Sequence, residues 1–273
     1  MSELIVILLL LLIPISVIRY IRGRGALRGL LLFLLISVFG YIMTVALPSV
    51  REVYSYKETT HKENVNALTK IAEKLNKSEG KEYEITDGDL SLFCNEYMSQ
   101  VMGVESQRAA AIKKSLISPI FSKLGIIAYY SPLTAEIIVN NDAPRELYTS
   151  SCLHELSHYY GILSEDRADL YAYMIADQSQ NDALIYSENL SAFARIGTLV
   201  AGISKEDYYR IYDKLATRVK KSLHDRQTFV NENGTDHIAS ELNDAVITMR
   251  DARGAQSYRD SAYALVAYIN GNK

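Results

Sequence analysis

Cysteine is scarce in this chain. Cys94 and Cys152 are the only two among 273 residues, too few for a disulfide framework. A bond between them is open on counting alone, and two small buried hydrophobes are the expected state. Cys152 lies two residues before His154, so in a helix it points well away from His154 and His158. No CxxC pair or Cys/His cluster suggests a structural metal site of the cysteine-rich kind. Positive charge is scarce too. The chain holds 29 basic and 32 acidic residues, and setting aside Arg19, Arg22, Arg24, Arg28 and Glu3 leaves 25 basic against 31 acidic after residue 48. A net-acidic region offers no basic stripe to a phosphate backbone, so nucleic acid is not an expected partner. Internal repeats and low-complexity linkers are also missing, and residues 61–273 read as one domain.

Long apolar runs are present, and they are confined to the N-terminus. Leu4 to Ile18 is broken only by Pro14 and Ser16 and continued by Tyr20 and Ile21; a second run extends from Gly29 to Leu47. A spanning helix needs about 20 largely apolar residues. The second run comes close to that, and the first does so if Arg19 snorkels. A secretory signal peptide is the rival reading of the first run. It is weakened by the absence of a basic region before the run and by the second run so soon after it. Residues 1–48 are therefore read as a transmembrane hairpin in the lipid bilayer. The connection holds Arg19, Arg22, Arg24 and Arg28, which should keep it cytoplasmic. The expected location is the cell membrane, with two spans and everything after Pro48 extracytoplasmic. Residues 49–60 read as a stalk.

The remainder reads as α+β, mainly α. Val65, Leu68, Ile71 and Leu75 recur at near-helical spacing. Further helices are expected from near Asp87 and from about Glu105 to Ile117. The pattern then changes: Ile126 to Tyr130 and Ala135 to Asn140 read as a short β-hairpin before the next helix. Helices are expected near 144–160, 165–179, 182–199, 205–221, 238–251 and 256–269.

One helix carries the chemistry. Asn141-Asp142-Ala143-Pro144-Arg145-Glu146 is a helix start, and Gly161 is a favoured stop. Between them lies His154-Glu155-Leu156-Ser157-His158. Histidines four apart project from one face, one turn apart, and can take two corners of a tetrahedral zinc site. Glu155, one step round, suits a general base acting on a water in an open corner. With five histidines and 18 glutamates in the chain, such a motif arises by chance in roughly one sequence in two hundred, so the next residues decide. Catalytic zinc usually takes three protein ligands. Ser164 looks like the N-cap of a new helix whose first turn folds back toward the histidines. Glu165 is thus the expected third ligand, and Asp169, four residues on, is expected to orient an imidazole N–H.

The stretch Tyr129 to Asn140, with His154-Glu155-Leu156-Ser157-His158-Tyr159-Tyr160-Gly161 and Glu165-Asp166-Arg167-Ala168-Asp169, resembles an uncharacterised family of bacterial membrane proteins with a zincin-type metallopeptidase domain. Tyr186-Ser187 and Ser257-Tyr258 are similar to that pattern as well, so the resemblance spans most of residues 90–270. The family commonly carries Asn at the position of Asp169. Glu165 to Asp169 is also similar to the ExxAD helix of gluzincins. The resemblance implies a zincin-like fold with one zinc ion, names no substrate, and alone suggests Tyr258 as the oxyanion donor.

The expected chemistry is peptide hydrolysis. Zinc on His154, His158 and Glu165 activates a water, and Glu155 moves the proton to the leaving amine. By analogy with zincin edge strands, Ala135 to Asn140 is expected to pair with an extended peptide or protein substrate, with Glu136 and Ile138 as its contacts. The alternative is a non-catalytic membrane-tethered binding module with a vestigial or structural zinc site. An intramembrane protease is excluded by Asp142, Arg145, Glu146 and Glu165 around the motif.

Overall fold

The computed structural model describes residues 57–77, 85–102, 110–131, 134–233 and 256–271. Both apolar runs, most of the stalk and the helix expected at 238–251 lie outside them.

The first described helix, α1 (His61–Lys77), opens on a reciprocal cap: Glu63 N–H donates to Thr60 Oγ1 at 3.3 Å and Thr60 N–H to Glu63 Oε2 at 2.8 Å. Helix α2 (Asp87–Met102) opens in the same way on Thr86 and Asp89. Strand β1 (Ala111–Lys114) and the short helix α3 (Ser118–Lys123) follow, then β2 (Ala128–Ser131) and β3 (Glu136–Val139). Six helices complete the described residues: α4 (Arg145–Tyr159), α5 (Glu165–Gln178), α6 (Asp182–Ile203), α7 (Lys205–Tyr212), α8 (Thr217–Asn233) and α9 (Gln256–Asn270). The fold is mainly helical with one three-stranded sheet.

Two expected elements differ. Residues 111–114, placed by sequence inside a helix from Glu105 to Ile117, form β1 because they pair with β3 in parallel, Ala111 opposite Glu136 and Lys114 opposite Val139. The single helix expected at 205–221 is two, α7 and α8, and the second runs on to Asn233.

The sheet order is β1-β3-β2, with β2 antiparallel to β3. That order corrects the substrate-strand expectation. β3 is central and bonded on both sides, so its main chain is not open to a substrate. Its side chains are equally committed: Ile138 is buried, and buried Glu136 holds Lys113 at 2.5 Å. Among the described residues β2 is the outer strand that packs against α4.

Two apolar clusters hold the described chain together. One gathers Met98, Ile137, Val139, Leu153, Leu156, Ala172 and Ile175 around α2, the sheet, α4 and α5. The other gathers Leu68, Ile71, Leu75, Phe193, Ile196, Val200 and Leu265 around α1, α6 and α9. Cys94 and Cys152 are free thiols buried in the first, and burial pushes both thiols up beyond any reactive range.

Candidate metal centre

The end of α4 explains how the second histidine is fixed. Gly161 adopts φ +93°, a conformation that L side chains rarely take. Its N–H reaches the His158 carbonyl at 3.0 Å, and the Ile162 N–H reaches the Ser157 carbonyl at 3.1 Å, the paired bonds of a Schellman stop. This turn carries the Ile162 carbonyl back to His158, whose Nδ1 lies 2.6 Å from it. A carbonyl only accepts, so Nδ1 carries a proton and Nε2 is the ring nitrogen left to face a metal.

His154 is fixed from the other side. Its Nδ1 lies 2.7 Å from Asp169 Oδ1. Asp169 also accepts from Arg195 at 2.8 Å and from Ser261 Oγ at 2.6 Å. Burial alone would raise the Asp169 pKa, but Arg195 and His154 outweigh it and hold it low. An ionised Asp169 accepts the Nδ1 proton, so Nε2 is the His154 nitrogen that a metal would take.

Both Nε2 atoms face Glu165, which opens α5 after Ser164. Ser164 holds the N-cap position with its hydroxyl turned to the Asp166 carboxylate. His154 Nε2 is 3.0 Å from Glu165 Oε2 and 3.0 Å from His158 Nε2, and His158 Nε2 is 3.6 Å from Glu165 Oε1. Bonds of about 2.0–2.2 Å to a tetrahedral zinc would set ligand atoms about 3.3–3.5 Å apart. The two 3.0 Å separations are a few tenths of an ångström shorter than that range, the ligand atoms of the three residues all lie within 4.8 Å of one another, and the donor set is of the kind zinc takes. Without a cation the arrangement needs an added proton. Burial lowers the His154 pKa, yet Asp169 and Glu165 lift it well above the usual histidine range. Burial likewise raises Glu165, and bonds to His154 and His158 bring it well below the usual carboxylate range. Among the described residues, His154, His158 and Glu165 form a group of ligand atoms able to share an ion.

Glu155 is buried on the sheet side of α4, and its Oε2 accepts the Tyr130 N–H at 2.6 Å. The register explains that contact. Asn140 N–H donates to the Ile127 carbonyl, so bonding alternates through 127, 129 and 131, and the N–H groups of Ala128 and Tyr130 face the open edge of β2. Tyr130 and Tyr159 meet edge to face at 5.9 Å beside it. The Tyr258 side chain lies outside the described residues.

Sequence reasoning missed Tyr130, Arg195 and Ser261. Arg195 had a faint signal, as the one charge between Asn189 and Ile203. Ser261 and the Tyr130 amide had none.

The fold and site define a class: a mainly helical domain with a candidate metal centre of two histidines and a glutamate on consecutive helices. A family model matches residues 1–266, and the chain belongs to that family, described as a protein of unknown function (DUF3810). No curated protein and no solved structure matches the chain.

Proposed function

We propose that this chain is a membrane-anchored zinc metallopeptidase with a zincin-like, gluzincin-like domain. The observation that carries the reading is the convergence of His154 Nε2, His158 Nε2 and the Glu165 carboxylate, three ligand groups that one divalent cation could share. Bound there, zinc supplies Lewis acidity, lowering the pKa of a water and polarising a carbonyl. Ile162 and Asp169 hold the rings in the required tautomer. Glu155 accepts the proton of the attacking water and returns it to the leaving amine. The Ala128 N–H on the outer side of β2 suits an extended peptide main chain, so the substrate is a peptide or protein. Residues 1–48 anchor the domain through two spans, with the arginine loop inside and the domain outside.

One observation favours a second reading. Glu155 is 5% exposed and its Oε2 is taken up by the Tyr130 backbone amide, which commits that oxygen to the fold rather than to a water. A non-catalytic membrane-tethered module with a structural ion fits that contact.

Zinc content and peptide cleavage by the full chain separate the two. The peptidase reading expects about one zinc per chain in both wild type and Glu155→Gln, with cleavage lost by at least about 100-fold in the variant. Zinc without cleavage in the wild type selects the module. Zinc that survives both His154→Ala and His158→Ala places the metal elsewhere and ends both readings.

A further inference from the structure

The segment from 111 to 124 reverses the usual sorting of side chains. Ser115, Ser118 and Ser122 are buried, while Leu116 and Ile120 stand 72% and 52% exposed. The hydrophobic effect by itself favours the opposite. The buried serines anchor the backbone from below. Ser115 Oγ accepts from the Ile117 N–H at 3.1 Å, and Ser118 Oγ donates to the Ser115 carbonyl at 3.1 Å. Ser118 Oγ also accepts from the Asn141 N–H at 2.9 Å, and Ser122 Oγ from Asn140 Nδ2 at 3.0 Å. Buried Phe121 meets Tyr129 edge to face at 5.8 Å. Pro119 sits in the first turn of α3, where its fixed φ suits the helix. Two apolar side chains are thus presented outward by fixed geometry.

Charge narrows the partner. The charged residues from 111 to 124 are Lys113, Lys114 and Lys123, with no acid among them. Lys114 and Lys123 are exposed, and Lys113 is held by Glu136. This basic tip belongs to a region with an acidic balance. Apolar side chains flanked by lysines fit the boundary between headgroups and acyl chains of an anionic bilayer. A stable protein interface usually takes about 20–30 residues a side, far more than two side chains supply. Thirteen residues separate Leu47 from His61, a leash that reaches about 45 Å at most.

We propose that the β1–α3 tip inserts Leu116 and Ile120 into an anionic lipid surface, with Lys114 and Lys123 at the headgroups. The proposal rests on the membrane reading of residues 1–48 and not on the metal centre. The chain has no tryptophan, so a single introduced one reports its own surroundings. The full chain is reconstituted into vesicles with a third of the lipid as phosphatidylglycerol. Leu116→Trp and Ile120→Trp are then compared with Phe33→Trp in the second apolar run and with Ile203→Trp, an exposed position at the end of α6. Bromine-labelled acyl chains are expected to quench the two tip variants about twofold, Phe33→Trp more strongly and Ile203→Trp not at all. Adding Lys114→Glu and Lys123→Glu should remove the quenching at the tip. Quenching of Phe33→Trp alone, or equal quenching at Ile203→Trp, overturns the tip and leaves the anchor. A blue-shifted tip tryptophan that bromine does not reach means that protein covers it, which also overturns the proposal. No quenching at any position overturns the anchor with it, and quenching that survives both charge reversals overturns the requirement for anionic lipid.

Discussion

Helices α1 and α4 are similar in length and bury themselves in opposite ways. α1 places Ala67, Leu68, Ile71, Ala72 and Leu75 on one face, with Asn64 its one buried polar residue. α4 buries Thr149, Ser150, Glu155, Ser157 and His158 beside Leu147, Tyr148, Cys152, Leu153 and Leu156. The first pattern draws stability from apolar area. The second costs free energy unless each polar group finds a partner, and in α4 four of the five have one: Ser157 with the Leu153 carbonyl, Ser150 with the Leu147 carbonyl, His158 with the Ile162 carbonyl, Glu155 with the Tyr130 amide. The α1 side is scaffold, and the α4 side holds the candidate metal centre.

The strongest way to break that division is in the scaffold. Ile71 is fully buried, and Ile71→Ala is expected to lower the unfolding free energy by about 2–5 kcal/mol with zinc per folded chain unchanged. Urea denaturation and metal analysis read the two quantities. Folded variant without zinc would show that scaffold and centre are one unit.

A second test lies where the regions meet. Glu188 on α6 is 5% exposed, and its Oε1 has no hydrogen-bond partner among the described residues. Burial, aided by the charge of Asp169, pushes its pKa up to about 8 from 4.5. A raised folded-state pKa means that the folded form holds its proton where the unfolded chain has lost it. Stability from this group is therefore complete below about pH 4.5 and is lost as pH rises toward about 8. Glu188→Gln should flatten that decline, and in chelator it is expected to stabilise the protein at pH 8 by about 2–4 kcal/mol. The Gln amide keeps part of the burial cost, which holds the gain below the full shift. Equal pH slopes for wild type and variant would remove Glu188 from the account.

Local signals wrote the α4–α5 unit into the sequence. Histidines four apart need only the helical repeat to share a face, and Gly161 supplies its turn wherever the helix ends. What stayed hidden was pairing at a distance. Ala111–Lys114 has no strand composition, and only β3, 25 residues on, makes it a strand. For the same reason the sequence showed a strand at 135–140 without showing that it was central. Arg195 and Ser261 reach Asp169 from 26 and 92 residues away, and no local pattern encodes such a meeting.

The smallest effect is expected at Ser261, and it tests where the two regions divide. Ser261 is fully buried on α9, in the helix that joins the α1–α6 cluster, yet its hydroxyl donates to Asp169 Oδ2 at 2.6 Å. Asp169 in turn holds the His154 Nδ1 proton. Removing the hydroxyl leaves a buried carboxylate oxygen short of a donor and makes negative charge on Asp169 costlier. A less charged Asp169 leaves His154 a weaker lone-pair donor. Ser261→Ala is therefore expected to weaken zinc binding about tenfold, with Ser261→Thr restoring most of it, as read by competition against a chromophoric chelator. If Ser261→Ala lowers the stability of the zinc-free protein and leaves zinc affinity unchanged, Ser261 belongs to the scaffold, and the boundary of the centre lies at Asp169.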